Sequence, residues 1–209
     1  MVFAKKALLA CVASMSVVPG IASAAETELI EASALLNSGM SNGLNEFGQV
    51  ANALLDENSK SLEYVFFETS DTFTPTSDEQ GFVAIDNVDF APGSLGEWQV
   101  IVEDTNSQRK PQELEVTRTE AEYRLLSRVL NESISFSDAE TRSIDDILIN
   151  PDTGGIEYFT VSMDAESFFN DDIRVIPASE VEVARTGQVT ASVPLSEVES
   201  GSEYQWRLN

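Results

Sequence analysis

The chain has 209 residues, with 36 acidic against 12 basic side chains, no histidine and one cysteine, Cys11. Without histidine it has no route to a Ser-His-Asp or Cys-His site, nor to an ordinary zinc site. A net charge of −24 repels nucleic acid and anionic lipid headgroups, and leaves cations and basic protein surfaces as the partners it admits.

Residues 1–24 open with Lys5 and Lys6, continue through an apolar run, turn at Pro19-Gly20 and end in Ala22-Ser23-Ala24. That order of basic, apolar and small residues predicts a secretory signal peptide with an A-x-A cleavage site. A membrane-spanning helix needs about 20 apolar residues and does not normally carry Pro-Gly near its end. A lipoprotein reading of Leu8-Leu9-Ala10-Cys11 leaves too short an apolar stretch after Lys6, because a signal's apolar region runs to about 7 to 15 residues. Cleavage removes the cysteine and two lysines, so the exported chain carries 10 basic and 36 acidic residues, net −26. It has no disulfide available, and its stability rests on burying apolar surface. Adaptation to a saline environment explains the charge as well as any binding function does, since salt screens the self-repulsion.

Residues 35–68 align without a gap on residues 129–162, at an offset of 94. Leu36/Leu130, Asn37/Asn131, Ser41/Ser135, Glu46/Glu140, Leu54/Leu148, Glu63/Glu157 and Tyr64/Tyr158 are identical, and the apolar positions keep phase. The period exceeds the roughly 20 to 50 residues of solenoid repeats, so the chain is read as two copies of a small domain. In the second copy, apolar runs at 144–149 and 156–163 flank Asn150-Pro151-Asp152-Thr153-Gly154-Gly155, which predicts a β-hairpin. The short alternating segments IRVIP, VEVA and QVTASV follow, and the first copy repeats the order with runs at 50–55, 62–68, 81–90 and 98–104. Many short strands at such spacing mean an all-β fold. Between the copies, residues 119–129 place Glu120 and Glu122 ahead of Arg124 and Arg128, an acid-first, base-last order that predicts a helix packing one unit on the next.

The second copy resembles a PRC-barrel domain, the small β-barrel of photosynthetic reaction-centre H subunits and of a ribosome maturation factor. The resemblance rests on residues 143–163 and 173–183, with Asp145, Asp146, Pro151, Thr153, Gly154, Tyr158 and Pro177 at the family's marked places, and on the closing residues 193–204. It extends in weakened form to residues 30–122, where Lys60 replaces Gly154, Glu57 replaces Pro151 and Asn87 or its neighbour takes the place of Pro177. The expected architecture is therefore all-β: two small PRC-type β-barrels in tandem joined by a short helix, with a signal peptide at 1–24, a divergent first domain at 25–122 and a second at 123–209. The resemblance implies a binding or scaffolding module with no travelling set of catalytic residues, although fold likeness is a weak guide to function.

Paired carboxylates, Glu63 with Glu157 or Asp145 with Asp146, are the candidates for acid–base hydrolysis, but a duplicated fold seldom needs its catalytic group twice, and solvent-facing strand residues explain them better. Calcium is the one metal to weigh, with Asp164, Glu166, Asp171 and Asp172 as ligands in one loop, joined by Asn170, and Asn150, Asp152 and Thr153 in another; neither has the twelve-residue EF-hand spacing. Phe168 and Phe169 in the acidic loop, and Phe73 in the matching loop of the first copy, are candidates for anchoring a partner or for plugging a barrel mouth. Trp98 and Trp206 are expected to pack a strand edge or terminus. The expectation is a non-catalytic periplasmic protein of a Gram-negative bacterium, without cofactor, that binds another protein. A calcium-binding stabiliser of the envelope and a carboxylate-dependent hydrolase are the alternatives.

Overall fold

A computed structural model of the chain describes residues 28–69, 80–93, 97–102, 122, 124–163 and 172–201. Residues 1–24, expected to be a signal peptide, lie outside them. In the first copy come β1 (Ile30–Glu31), α1 (Ala32–Leu35), β2 (Gly39–Ser41), β3 (Glu46–Leu55), β4 (Leu62–Thr69), β5 (Gln80–Ala84), β6 (Val88–Pro92) and β7 (Trp98–Val102). In the second come α2 (Leu126–Leu130), β8 (Ser133–Ser135), β9 (Thr141–Ile149), β10 (Ile156–Ser162), β11 (Ile173–Pro177), β12 (Val181–Val183), β13 (Val189–Ala191) and α3 (Leu195–Glu199). Single 3-10 turns, Ile85–Asn87 and Ala178–Glu180, join β5 to β6 and β11 to β12. The fold is all-β, as expected, and among the described residues no helix is long and apolar enough to cross a membrane.

The two copies form two sheets of the same topology. The first has strand order β5-β4-β3-β2-β7-β6 and the second β11-β10-β9-β8-β13-β12, each with one parallel pairing, β2 on β7 and β8 on β13. Register differences locate where the copies diverge. Met40 faces Val100 as Ile134 faces Val189, and Tyr64 faces Ala84 as Tyr158 faces Pro177. Ala84, rather than Asn87, therefore stands where the second copy has Pro177. The β10 strand does not alternate strictly, because register shifts at Ile156/Tyr158 and Thr160/Val161 bring Phe159, Thr160 and Val161 all into buried positions. Such bulges let one strand bury side chains on both faces.

The hairpins differ inside identical closures. Asp56 N–H donates to the Ser61 carbonyl at 2.8 Å as Asn150 N–H donates to Gly155 at 2.8 Å. Within the second turn Gly154 takes φ +67°; within the first the positive φ moves one residue earlier, to Ser59 at 54°, and Asp56 Oδ1 accepts the Lys60 N–H at 2.6 Å. Position 60 is thereby free to carry a side chain. Gly154 is not: a Cβ there would lie 2.8 Å from Ile85 Cγ1. Gly154→Ala is expected to cost about 1–3 kcal/mol, from left-handed strain plus displacement of Ile85. Denaturant unfolding checks this, and a variant as stable as the parent contradicts it.

One continuous hydrophobic core runs through both sheets, including Leu35, Val65 and Val100 from the first copy and Leu126, Phe159 and Val161 from the second. Fusion into one core eases the burial problem that two separate units of about 80 residues would each face. The expected inter-copy helix is interrupted at Leu125, which is extended and bridges Leu54 of β3: Glu122 and Arg124 are helical before it, and α2 resumes at Leu126. It does pack against both copies, touching β3 and β9.

Candidate functional site

Among the described residues, polar and charged side chains with specific partners gather where the copies meet. The junction is built on the offset of 94. Ser61 bridges Gly155, its own equivalent; Leu62 N–H donates to Gly154 O at 2.9 Å and Ile156 N–H donates to Lys60 O at 2.8 Å, and these two bonds are equivalents of each other. Reciprocal contacts of this kind define a two-fold axis, here an approximate one inside a single chain, passing beside Ser61 and Gly155.

The same axis relates two exchanged arms. Ile30 and Glu31, at the start of the first copy, pair with Ile149 and Leu148 of the second sheet. Leu125, the equivalent of Glu31, pairs with Leu54, the equivalent of Leu148. Helix α1 packs on β9 and α2 on β3, and the two helices touch each other. Each arm ends in the same cap: Asn37 Nδ2 donates to Ser33 O at 2.8 Å, and Asn131 Nδ2 to Ser127 O at 2.6 Å. These bonds satisfy backbone carbonyls that so short a helix leaves without intrahelical partners. They account for the identity of Asn37 and Asn131.

Each arm is clamped by one side chain of the opposite sheet. Asn52 on β3 donates from Nδ2 to Ser127 Oγ at 2.6 Å and accepts the Ser127 N–H on Oδ1 at 3.2 Å. Asp146 on β9, its equivalent, accepts the Ser33 N–H on Oδ1 at 3.2 Å and the Ser33 hydroxyl on Oδ2. Asp146 is 2% exposed, and its own N–H donates to Thr160 Oγ1 at 2.7 Å. Charge-assisted hydrogen bonds of this kind are the means by which a carboxylate tolerates burial.

The outer ends of the junction are asymmetric. Lys60 reaches into the second copy, its ammonium donating to the carbonyls of Ala178 and Val181 at the 3-10 turn. Burial lowers its pKa, opposed by the charges of Asp56, Glu182 and Glu180. On the other side Gly154 has no side chain, and Ile85 of the first copy's 3-10 turn occupies the space. Arg124 donates through Nε to Leu55 O at 2.7 Å and through Nη2 to Glu63. Glu157, the equivalent of Glu63, accepts instead from Asn150 Nδ2 at 3.2 Å.

Of the metal candidates, Asn150, Asp152 and Thr153 lie in the β9/β10 turn, where Asn150 Oδ1 accepts the Asp152 N–H at 2.9 Å and Thr153 Oγ1 accepts the Gly155 N–H at 3.1 Å, and from the acidic loop only Asp172 is among the described residues. Its two oxygens face Arg174, Oδ1 at 2.6 Å from Nε and Oδ2 accepting from Nη2 at 3.0 Å, and Arg174 Nη1 also donates to Gly201 O at 2.8 Å. Asp172 thus orients Arg174, which ties β11 to the residues just after α3. Asp164, Glu166 and Asp171, the partner candidates Phe73, Phe168 and Phe169, and Trp206 all lie outside the described residues. Trp98 is half-buried against the core and pairs with Pro92 at the end of the β6/β7 hairpin. Among the described residues no three His, Cys, Asp or Glu side chains converge as metal ligands.

Glu31, Ser33, Asn52, Lys60, Arg124 and Ser127 were not singled out as a site from sequence. A signal existed for one pair: the offset of 94, carried two residues upstream of the aligned stretch, superimposes Ser33 on Ser127. No family model matches the chain, and no curated protein is significantly similar to it.

Proposed function

We propose that the chain is an exported, non-catalytic scaffold whose two PRC-barrel-type units hold another protein in the periplasm. The observation that carries this reading is the use made of the ionisable groups at the centre of the molecule. Glu63, one of the two repeated glutamates, is bound to Arg124; Asp146 clamps an arm; Lys60 caps a turn of the opposite copy. Groups held in this way stiffen a framework, and a stiff framework binds with little loss of conformational entropy. The strongly acidic balance favours a basic protein surface as partner and accelerates its approach.

The test is capture of periplasmic protein on the immobilised chain at about 50 mM and about 500 mM salt, where screening lengths differ severalfold. A single basic protein, held saturably at low salt and released at high salt, supports the proposal. A small-molecule ligand found by screening, with no protein retained at either salt, overturns it.

A further inference from the structure

The two exchanged arms occupy equivalent places but are fastened by opposite electrostatics. The arm ahead of α2 brings a cation, Arg124, to Glu63 and to the Leu55 carbonyl. The arm ahead of α1 has Ile30 in the position of Arg124 and brings an anion instead: Glu31, paired with Leu148 of β9. Among the described residues, the elements packed most extensively on β1 are β9 and α1. From β9 the groups that act on Glu31 are Asp146, buried and holding Ser33, and Asp145; α1 carries no ionisable side chain. Burial, then Asp146, then Asp145 push the Glu31 carboxyl from 4.5 up to about 7.

We propose that the amino-terminal arm, residues 30–37, is a pH-gated latch, seated on β9 while Glu31 is protonated and loosened when Glu31 ionises beside Asp145 and Asp146. A carboxyl raised in the folded state stabilises docking fully below its ordinary value of 4.5, and that contribution is lost as pH rises through about 7. The second arm is closed instead by the Arg124–Glu63 pair, a cation set against a carboxylate rather than a carboxylate against carboxylates. The gate is therefore confined to one end of the pseudo-symmetric junction.

Hydrogen exchange on the whole chain, with rates normalised to those of an unfolded chain at each pH, reads the two arms separately. The Leu36 and Ser38 amides, which donate to Ala32 O and Leu35 O, are expected to lose about tenfold in protection between about pH 5.5 and about pH 8.5, after allowing for solvent screening. The equivalent amides of the second arm, Leu130 and Glu132, change less. Glu31→Gln holds the first arm protected at both pH values, and Asp145→Asn, at an exposed position, shrinks the change. Equal pH response of the two arms in the unmodified protein overturns the proposal without reference to any variant. So does an unaltered pH profile in either folded variant.

Discussion

Leu35→Ala is expected to lower the stability of both copies by about 2–5 kcal/mol, in one transition, although the residue belongs to the first copy alone. Leu35 is fully buried, at the end of α1, and α1 packs on β9 of the second sheet. Truncation removes three carbons from an interior that relaxes only partly, so the transfer loss and the residual cavity add. The effect spreads because the arms are reciprocal: loosening α1 weakens its contact with α2, which in turn packs on β3. For a chain of this size the loss corresponds to a fall in melting temperature of roughly 10 °C. The discriminating measurement follows amides deep in each sheet, Val65 and Val161, both fully buried, through denaturant unfolding. Coincident loss is expected in parent and variant. A variant in which Val161 gives way while Val65 keeps its parental midpoint contradicts an interlocked core, because independent units pass no destabilisation to each other.

Strand positions were legible because alternation, β-branched residues and turn clusters are local signals. The hairpin at Asn150–Gly155, the short strands β11, β12 and β13, and the matching run of the first copy all follow from them. The exchange of arms was not legible for a physical reason. Ile30–Glu31 is two residues long, and nothing in a two-residue strand states which of two homologous sheets it joins. Only the tertiary fit of α1 and α2 decides that. The helix between the copies follows from its charges, yet it is broken at Leu125, whose backbone serves the bridge to Leu54. The repeat itself held more than its first alignment used. Asn37/Asn131 cap the helices, and Ser33/Ser127, two residues upstream of the aligned stretch, meet the clamps; these identities belong to the junction and not to either sheet. The carboxylates that suggested acid–base chemistry gave no sign in sequence of their partners, since Glu63 meets Arg124 across 61 positions and Asp146 meets Ser33 across 113.

Asp146→Ala is expected to cost about 2–4 kcal/mol, whereas Asp146→Asn costs less than about 1 kcal/mol. Alanine leaves the Ser33 N–H and hydroxyl and the Ile147 N–H without the oxygens that receive them, all at a position 2% exposed. Asparagine keeps an oxygen for the amide of Ser33 and offers an N–H to its hydroxyl, the arrangement by which Asn52 already holds Ser127. The molecule thus contains its own control for the substitution. Removing the charge has a second effect, because Asp146 is the larger of the two charges that raise Glu31. The rise of Glu31 from 4.5 to about 7 sets a ceiling of about 3 kcal/mol on the docking energy lost toward alkaline pH, reduced to about 1 kcal/mol by partial exposure and screening. With Asn at position 146 that loss shrinks, so the variant gains on the parent as pH rises from about 5.5 to about 8. Paired denaturation curves at the two pH values check both parts. If Asn and Ala at position 146 prove equally damaging, charge rather than hydrogen bonding holds the arm, and the equivalence of Asn52 and Asp146 fails.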